Sequence, residues 1–135
     1  MILTRNETFI RLQAETRLQP YQMHVADNNY FCLTFGQLTE LLLDSKIDLY
    51  KYRDDTFDCD DFSLILHAFV RQCQYSIGWS NPWLFGEVFG KFSDIGGSHA
   101  RNFCITSDRG FVLPEPQTDR ILLRDSAAAY SLLRC

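Results

Sequence analysis

Residues 58–73 read Asp58-Cys59-Asp60-Asp61-Phe62-Ser63-Leu64-Ile65-Leu66-His67-Ala68-Phe69-Val70-Arg71-Gln72-Cys73. Phe62, Ile65, Leu66, Phe69, Val70 and Cys73 recur at three- and four-residue intervals, the period of one helix face. Three aspartates stand ahead of this run, and carboxylates at a helix start complement its unpaired N–H groups and its macrodipole. The pattern predicts a helix opening near Asp58, with Cys59 on its first turn.

Upstream, Thr34 followed by Gln37 reads as a capping box, and Phe35, Leu38, Leu41 and Leu42 line one face of the helix it would open. An earlier helix is expected over 6–18, ending before Pro20. A linker rich in Tyr and Asp, Ile47 to Phe57, joins these helices to the one at Asp58.

Downstream the pattern changes to strands. The aromatic run Trp83 to Phe92 suits a strand with bends at Gly86 and Gly90. His99 to Thr106 and Gly110 to Leu113 flank Ser107-Asp108-Arg109-Gly110, a hairpin turn signal. Arg120 to Leu123 reads as a further strand, and Asp125 or Ser126 as the cap of a short helix through Ala127, Ala128, Ala129 and Leu132. The expected fold class is therefore α+β: N-terminal helices, then a cysteine-bearing helix packed on a small antiparallel sheet.

At 135 residues, with no repeat or low-complexity linker, the chain is expected to form a single domain over 1–135. A hydrophobic fraction of 46% supports a buried core. The net charge of −4 disfavours a grip on nucleic-acid phosphates or on anionic membranes. The N-terminal residues lack the apolar centre of a signal peptide, so a cytoplasmic location is expected. The five cysteines, Cys32, Cys59, Cys73, Cys104 and Cys135, form no C-x-x-C pair, which points away from a zinc ribbon or a disulfide framework.

A thiol becomes a strong nucleophile as thiolate, and a helix N-terminus favours that anion. A histidine must then reach it as base, and a third polar group must orient the ring. His99, opening one hairpin strand, and Glu115, just beyond the other, are placed to meet across the sheet and serve Cys59.

Cys59 with Asp61-Phe62, then His99-Ala100, then Glu115-Pro116, at intervals of 40 and 16 residues, resembles the transglutaminase-like branch of the papain-like cysteine enzymes. The resemblance covers roughly 50–123. It implies a papain-like fold and a Cys59–His99–Glu115 triad of a hydrolase, thiol protease or acyltransferase. Such an enzyme would act on the amide or thioester carbonyl of a peptide, protein or small amide, with no cofactor and no metal. Tyr52, ahead of Tyr50, is the candidate side chain to complete an oxyanion hole with the Cys59 backbone N–H. Asn102, Gln117 and Trp83 are the candidate substrate-binding residues.

Asp54, Asp55, Asp58, Asp60 and Asp61 crowd Cys59 with negative charge, which disfavours a second anion there. That favours an alternative that keeps the papain-like fold, a catalytically inactive binding module for a small ligand or protein partner. The same aspartates offer oxygen ligands for Ca²⁺, although the segment lacks the glycine and distal glutamate of an EF-hand loop.

Overall fold

The computed structural model describes residues 1–135. In chain order its elements are β1 (Ile2–Thr4), α1 (Arg5–Thr16), β2 (Met23–His24), β3 (Asn29–Phe31), α2 (Phe35–Ser45), α3 (Cys59–Ser76), β4 (Phe85–Phe92), β5 (Gly97–Thr106), β6 (Gly110–Glu115), β7 (Arg120–Leu123) and β8 (Ala129–Arg134). Short 3₁₀ turns at Pro20–Gln22 and Ile47–Leu49 complete the chain. Six strands form one sheet in the order β2-β8-β4-β5-β6-β7, and β1 pairs with β3 in a small separate sheet. The large sheet is antiparallel apart from the parallel β2–β8 edge pair.

Side chains alternate across a strand, and here both faces of the central strands are covered. Phe103 and Ile105 of β5 and Phe111 and Leu113 of β6 join Leu12 of α1, Val88, Phe92 and Leu133 in one apolar cluster. Cys104 and Val112, the residues between them, join Leu38 and Leu42 of α2 and Phe62, Leu66 and Val70 of α3 in another. The architecture is a three-layer one: α1 against one face of the sheet, α2 and α3 against the other.

This corrects the expected fold class. In place of a papain-like domain with a small antiparallel sheet, the sheet is large and mixed, helices cover both of its faces, and a second sheet is present. The C-terminal helix expected over Ala127 to Leu132 is also corrected. Residues Ala129–Arg134 form β8, paired with β4 from Glu87↔Arg134 to Lys91↔Ala129. Alanine is the best helix former, but intrinsic propensity is a weak influence, and burial of Leu133 with two strand partners outweighs it.

Gly86 is required where β4 and β8 come together, since a Cβ there would lie 2.1 Å from the Arg134 carbonyl oxygen. Gly110 closes the β5–β6 turn at φ 72°, a left-handed conformation that glycine adopts without cost.

Candidate functional site

The site is assembled where the N-terminus of α3 meets β5. Asp61 Oδ2 accepts from the Asp58 backbone N–H at 3.1 Å, and buried Phe62 anchors the first turn in the core. Ser63 Oγ donates to the Arg101 carbonyl at 3.0 Å. Asn102 Nδ2 donates in return to the Ser63 carbonyl at 2.9 Å and to the Gly86 carbonyl at 3.1 Å. These bonds set the register of the helix start against the strand carrying His99.

His99 Nε2 and Glu115 Oε2 are 2.9 Å apart. With Nε2 donating to the carboxylate, Nδ1 is the ring nitrogen left as acceptor. Arg101 Nε donates to the same Glu115 oxygen at 2.8 Å, and its Nη1 donates to Asp94 Oδ1 at 2.8 Å. The Arg101 guanidinium also lies over the Phe92 ring, 4.5 Å from its centroid. Burial by itself would raise the Glu115 pKa, but hydrogen bonds from His99 and Arg101 outweigh it and hold the carboxyl below its ordinary range. For Asp94 the Arg101 hydrogen bond is the leading cause of a lowered pKa. The result is a chain that runs from exposed Asp94 through buried Arg101 and Glu115 and ends in an oriented His99 imidazole.

Two adjoining depressions share His99. One, of about 610 Å³, has Cys59 and Asp60 on one side and Ser98, His99 and Ala100 on the other. The second, of about 330 Å³, is lined by Tyr52, Asp94, Ile95, His99, Arg101, Glu115, Gln117, Thr118, Arg120 and Leu122. The structure therefore brings Cys59, His99, Glu115, Tyr52 and Gln117 to one continuous cleft. Cys59 and His99 line the same depression, and all of these groups can bond a polar ligand.

The structure places Trp83 and Asn102 outside this cleft: Trp83 packs in the core with Leu33, Leu38 and Phe85, and Asn102 is fully buried with its Nδ2 hydrogens spent on backbone carbonyls. Sequence reasoning missed Arg101 and Asp94. The signal was present in the strand period: Arg101 lies two residues beyond His99, so it shares that residue's face.

Asp58, Cys59 and Asp60 hold one ligand atom each within 4.8 Å of one another, two hard carboxylate oxygens and one soft sulfur. A hydrogen bond with Asp58, and then burial, raises the Asp60 pKa. Tyr52 is also raised, by desolvation and then by the charge of Asp58.

Two solved structures share this fold. One, titled "PSL1a-E64 complex", superposes with a TM-score of 0.85 at 22% identity, covering 99% of this chain and 51% of its own. The other is Polyporus squamosus lectin bound to the human-type influenza-binding epitope Neu5Acα2-6Galβ1-4GlcNAc, with a TM-score of 0.84, 22% identity and coverage of 99% and 49%. The chain thus spans about half the length of each. No curated protein sequence matches it.

The family described as Agglutinin C-terminal matches residues 30–121. This replaces the transglutaminase-like, papain-like assignment, which rested on three residue pairs too short to carry a family. It likewise corrects the expected hydrolase, thiol protease or acyltransferase and its peptide or amide substrates. The binding-module alternative stands nearer to lectin neighbours, with a ligand of another kind. The chain belongs to the agglutinin C-terminal family.

Proposed function

We propose that this chain is a glycan-binding module, that 1–135 act as one domain, and that the cleft around His99 is its ligand site. Cys59, His99, Glu115 and Tyr52 are its central residues and Gln117 its rim contact. The observation that carries the reading is the set of polar groups left unspent along the cleft. The Arg120 guanidinium, the Gln117 amide and the Tyr52 hydroxyl make no side-chain hydrogen bond or ion pair within the chain, whereas the Arg101 guanidinium beneath them is fully engaged. A guanidinium pairs with a sugar carboxylate in bidentate geometry, and amide and hydroxyl groups pair with ring hydroxyls. Tyr52, Ile95 and Leu122 supply an apolar wall for a pyranose face. An acidic, sialylated glycan of the kind carried by the Polyporus squamosus lectin structure meets these requirements.

The experiment is a titration of the isolated chain with Neu5Acα2-6Galβ1-4GlcNAc, followed by amide chemical shifts, with the unsialylated disaccharide as comparison. Saturable shifts at 94–102 and 115–122, weakened in Arg120→Ala and in Gln117→Ala, are expected. Absence of a saturable shift in the cleft overturns the reading. A parallel measurement alkylates Cys59 with iodoacetamide: if the cleft is the ligand site, bound glycan slows modification at Cys59 and leaves Cys73 unaffected. Equal rates with and without glycan refute the placement of the ligand beside Cys59.

A further inference from the structure

In a chain of net charge −4, residues 120–124 read Arg120-Ile121-Leu122-Leu123-Arg124, three aliphatic side chains bracketed by two arginines. The first four form β7, which ends the six-stranded sheet and pairs with β6 alone.

Along an antiparallel strand, successive residues turn their N–H and C=O groups to alternate sides. The Ile105 N–H donates to the Leu84 carbonyl, so Ile105 points toward β4 and its neighbour Cys104 toward β6. Cys104 and its partner Val112 therefore bond each other, Leu113 bonds Leu122, and Ile121 and Leu123 turn their N–H and C=O groups away from the sheet. Pro114, which has no N–H to give, stands opposite Ile121 in accord with this phase. No other segment of the chain bonds these outward groups. Leu123 beside them is 60% exposed. An open edge with an apolar side chain on it is a template for one more strand.

The charges decide which strand. Arg120 and Leu122 line the same depression, and Arg124 reaches Glu15 of α1 at 3.3 Å, so all three lie on the α1 side of the sheet. Arg120 has no charged partner within the chain, and the Arg124 side chain is 55% exposed. Residues directly opposite across two strands attract or repel according to their charge. A second copy of β7 in the register of fullest overlap would set Arg124 against Arg120 at both ends of the ladder. A strand with carboxylates at those two places gains two opposite-charge pairs instead.

We propose that β7 is a docking edge for an extended segment of a partner protein that carries two acidic residues four positions apart and an apolar residue midway between them. The segment adds antiparallel to β7. Its backbone bonds the outward groups of Ile121 and Leu123, its carboxylates lie opposite Arg120 and Arg124, and its apolar residue lies opposite Leu122.

The probe is the blocked peptide acetyl-Thr-Glu-Thr-Val-Thr-Glu-Thr-amide, titrated into the full chain and followed by amide chemical shifts. Saturable shifts of the Ile121 and Leu123 amides are expected, with slowed hydrogen exchange at both. The same peptide with lysine for both glutamates is expected to bind at least about tenfold more weakly, since two attractions become repulsions. Arg124→Gln is expected to weaken the acidic peptide about threefold. Leu123→Pro removes an outward donor without touching a bond to β6, and is expected to lower affinity about tenfold as read at Ile121. Unmoved Ile121 and Leu123 amides overturn the proposal. So does equal affinity for the lysine peptide, or undiminished binding in both variants. Shifts at these amides that grow with protein concentration in the absence of peptide overturn it in favour of a second copy. Leu123 and Arg124 line neither depression around His99, so the edge and the glycan reading can fail separately.

Discussion

Arg101→Met is the most informative perturbation of the chain that orients His99. Arg101 is 2% exposed and connects two carboxylates, donating to Glu115 through Nε and to Asp94 through Nη1 and Nη2. Methionine keeps much of the aliphatic stem and removes the charge and its contact with the Phe92 ring. Asp94, far more exposed, returns to water at little cost, but Glu115, 7% exposed, keeps only the His99 ring and the Gln117 backbone N–H as hydrogen-bond partners. Breaking a buried pair from one side costs about 3 to 5 kcal/mol, and the solvated Asp94 half places this case near about 3. For a domain of this size that is a fall in Tm of about 10 °C.

The pH dependence supplies the sharper criterion. In the native chain the folded pKa of Glu115 is depressed, so its contribution is present above the unfolded carboxyl pKa and lost as pH falls through the folded value. Burial is already the largest single influence on this carboxyl, and without Arg101 the opposing hydrogen bonds and charge no longer outweigh it. The folded pKa then lies above the unfolded one, and the penalty disappears as the group takes up a proton. The stability gap between native chain and variant is therefore widest near neutrality and narrows on acidification through the ordinary carboxyl range of about 4 to 5. Urea unfolding at neutral and mildly acid pH measures it. A gap under about 1 kcal/mol at neutrality, or one that does not change with pH, refutes the claim that Arg101 sustains a buried Glu115 carboxylate.

Asp119, whose pKa burial and then Asp48 push up to about 6, behaves in the opposite sense: its contribution is present below the unfolded value and lost as pH rises through 6. Asp119→Asn is expected to stabilise the chain at neutral pH by about 1 kcal/mol, with the gain vanishing in acid, as read by thermal melts across that range. Leu66→Ala, at a fully buried position of α3, is expected to cost about 3 kcal/mol in urea unfolding with the m-value retained. Asn102→Leu strands the Ser63 and Gly86 carbonyls and is expected to cost about 2 kcal/mol while shifting the amide resonances of Cys59 and His99, which a purely local defect would leave in place.

Much of the helical layer was legible because its signals are local. The Thr34/Gln37 capping box forms as its spacing predicts, with Gln37 N–H donating to Thr34 Oγ1 and Thr34 N–H to Gln37 Oε1. The apolar period from Phe62 to Cys73 becomes the buried face of α3. The hairpin between β5 and β6 likewise sits on its predicted turn. What escaped depends on distant partners. β8 reads as an alanine-rich helix until β4 and β2 are there to pair with it. Trp83 and Asn102 read as ligand contacts because an aromatic or an amide carries no mark of whether it faces a cleft or the core. The family was the largest miss. Cys59, His99 and Glu115 do come to one cleft, yet residues shared at three points specify a geometry and leave lineage and ligand open.

The two polar networks around α3 explain why that geometry is held. A helix resting on a sheet by apolar contacts alone can slide by a fraction of a turn at small cost, because dispersion has little directional preference. Here α3 is pinned twice along its length. Near its start Ser63 and Asn102 exchange bonds with the backbone of the opposing element. One turn later His67 Nδ1 meets buried Glu87 of β4 at 2.8 Å, and Arg134 of β8 holds the other Glu87 oxygen at 2.7 Å. Arg71 Nε donates to His67 Nε2 at 3.2 Å, so the ring must present a lone pair there and give its only proton to Glu87. Hydrogen bonds are directional and a buried carboxylate cannot go unpaired cheaply, so these contacts admit one axial position of the helix. Cys59 lies one turn before Ser63, and the strand residue that Ser63 bonds lies two residues from His99. The separation across the cleft is thus set by buried groups that never touch the ligand, and the exposed residues on its rim are left free to choose what binds.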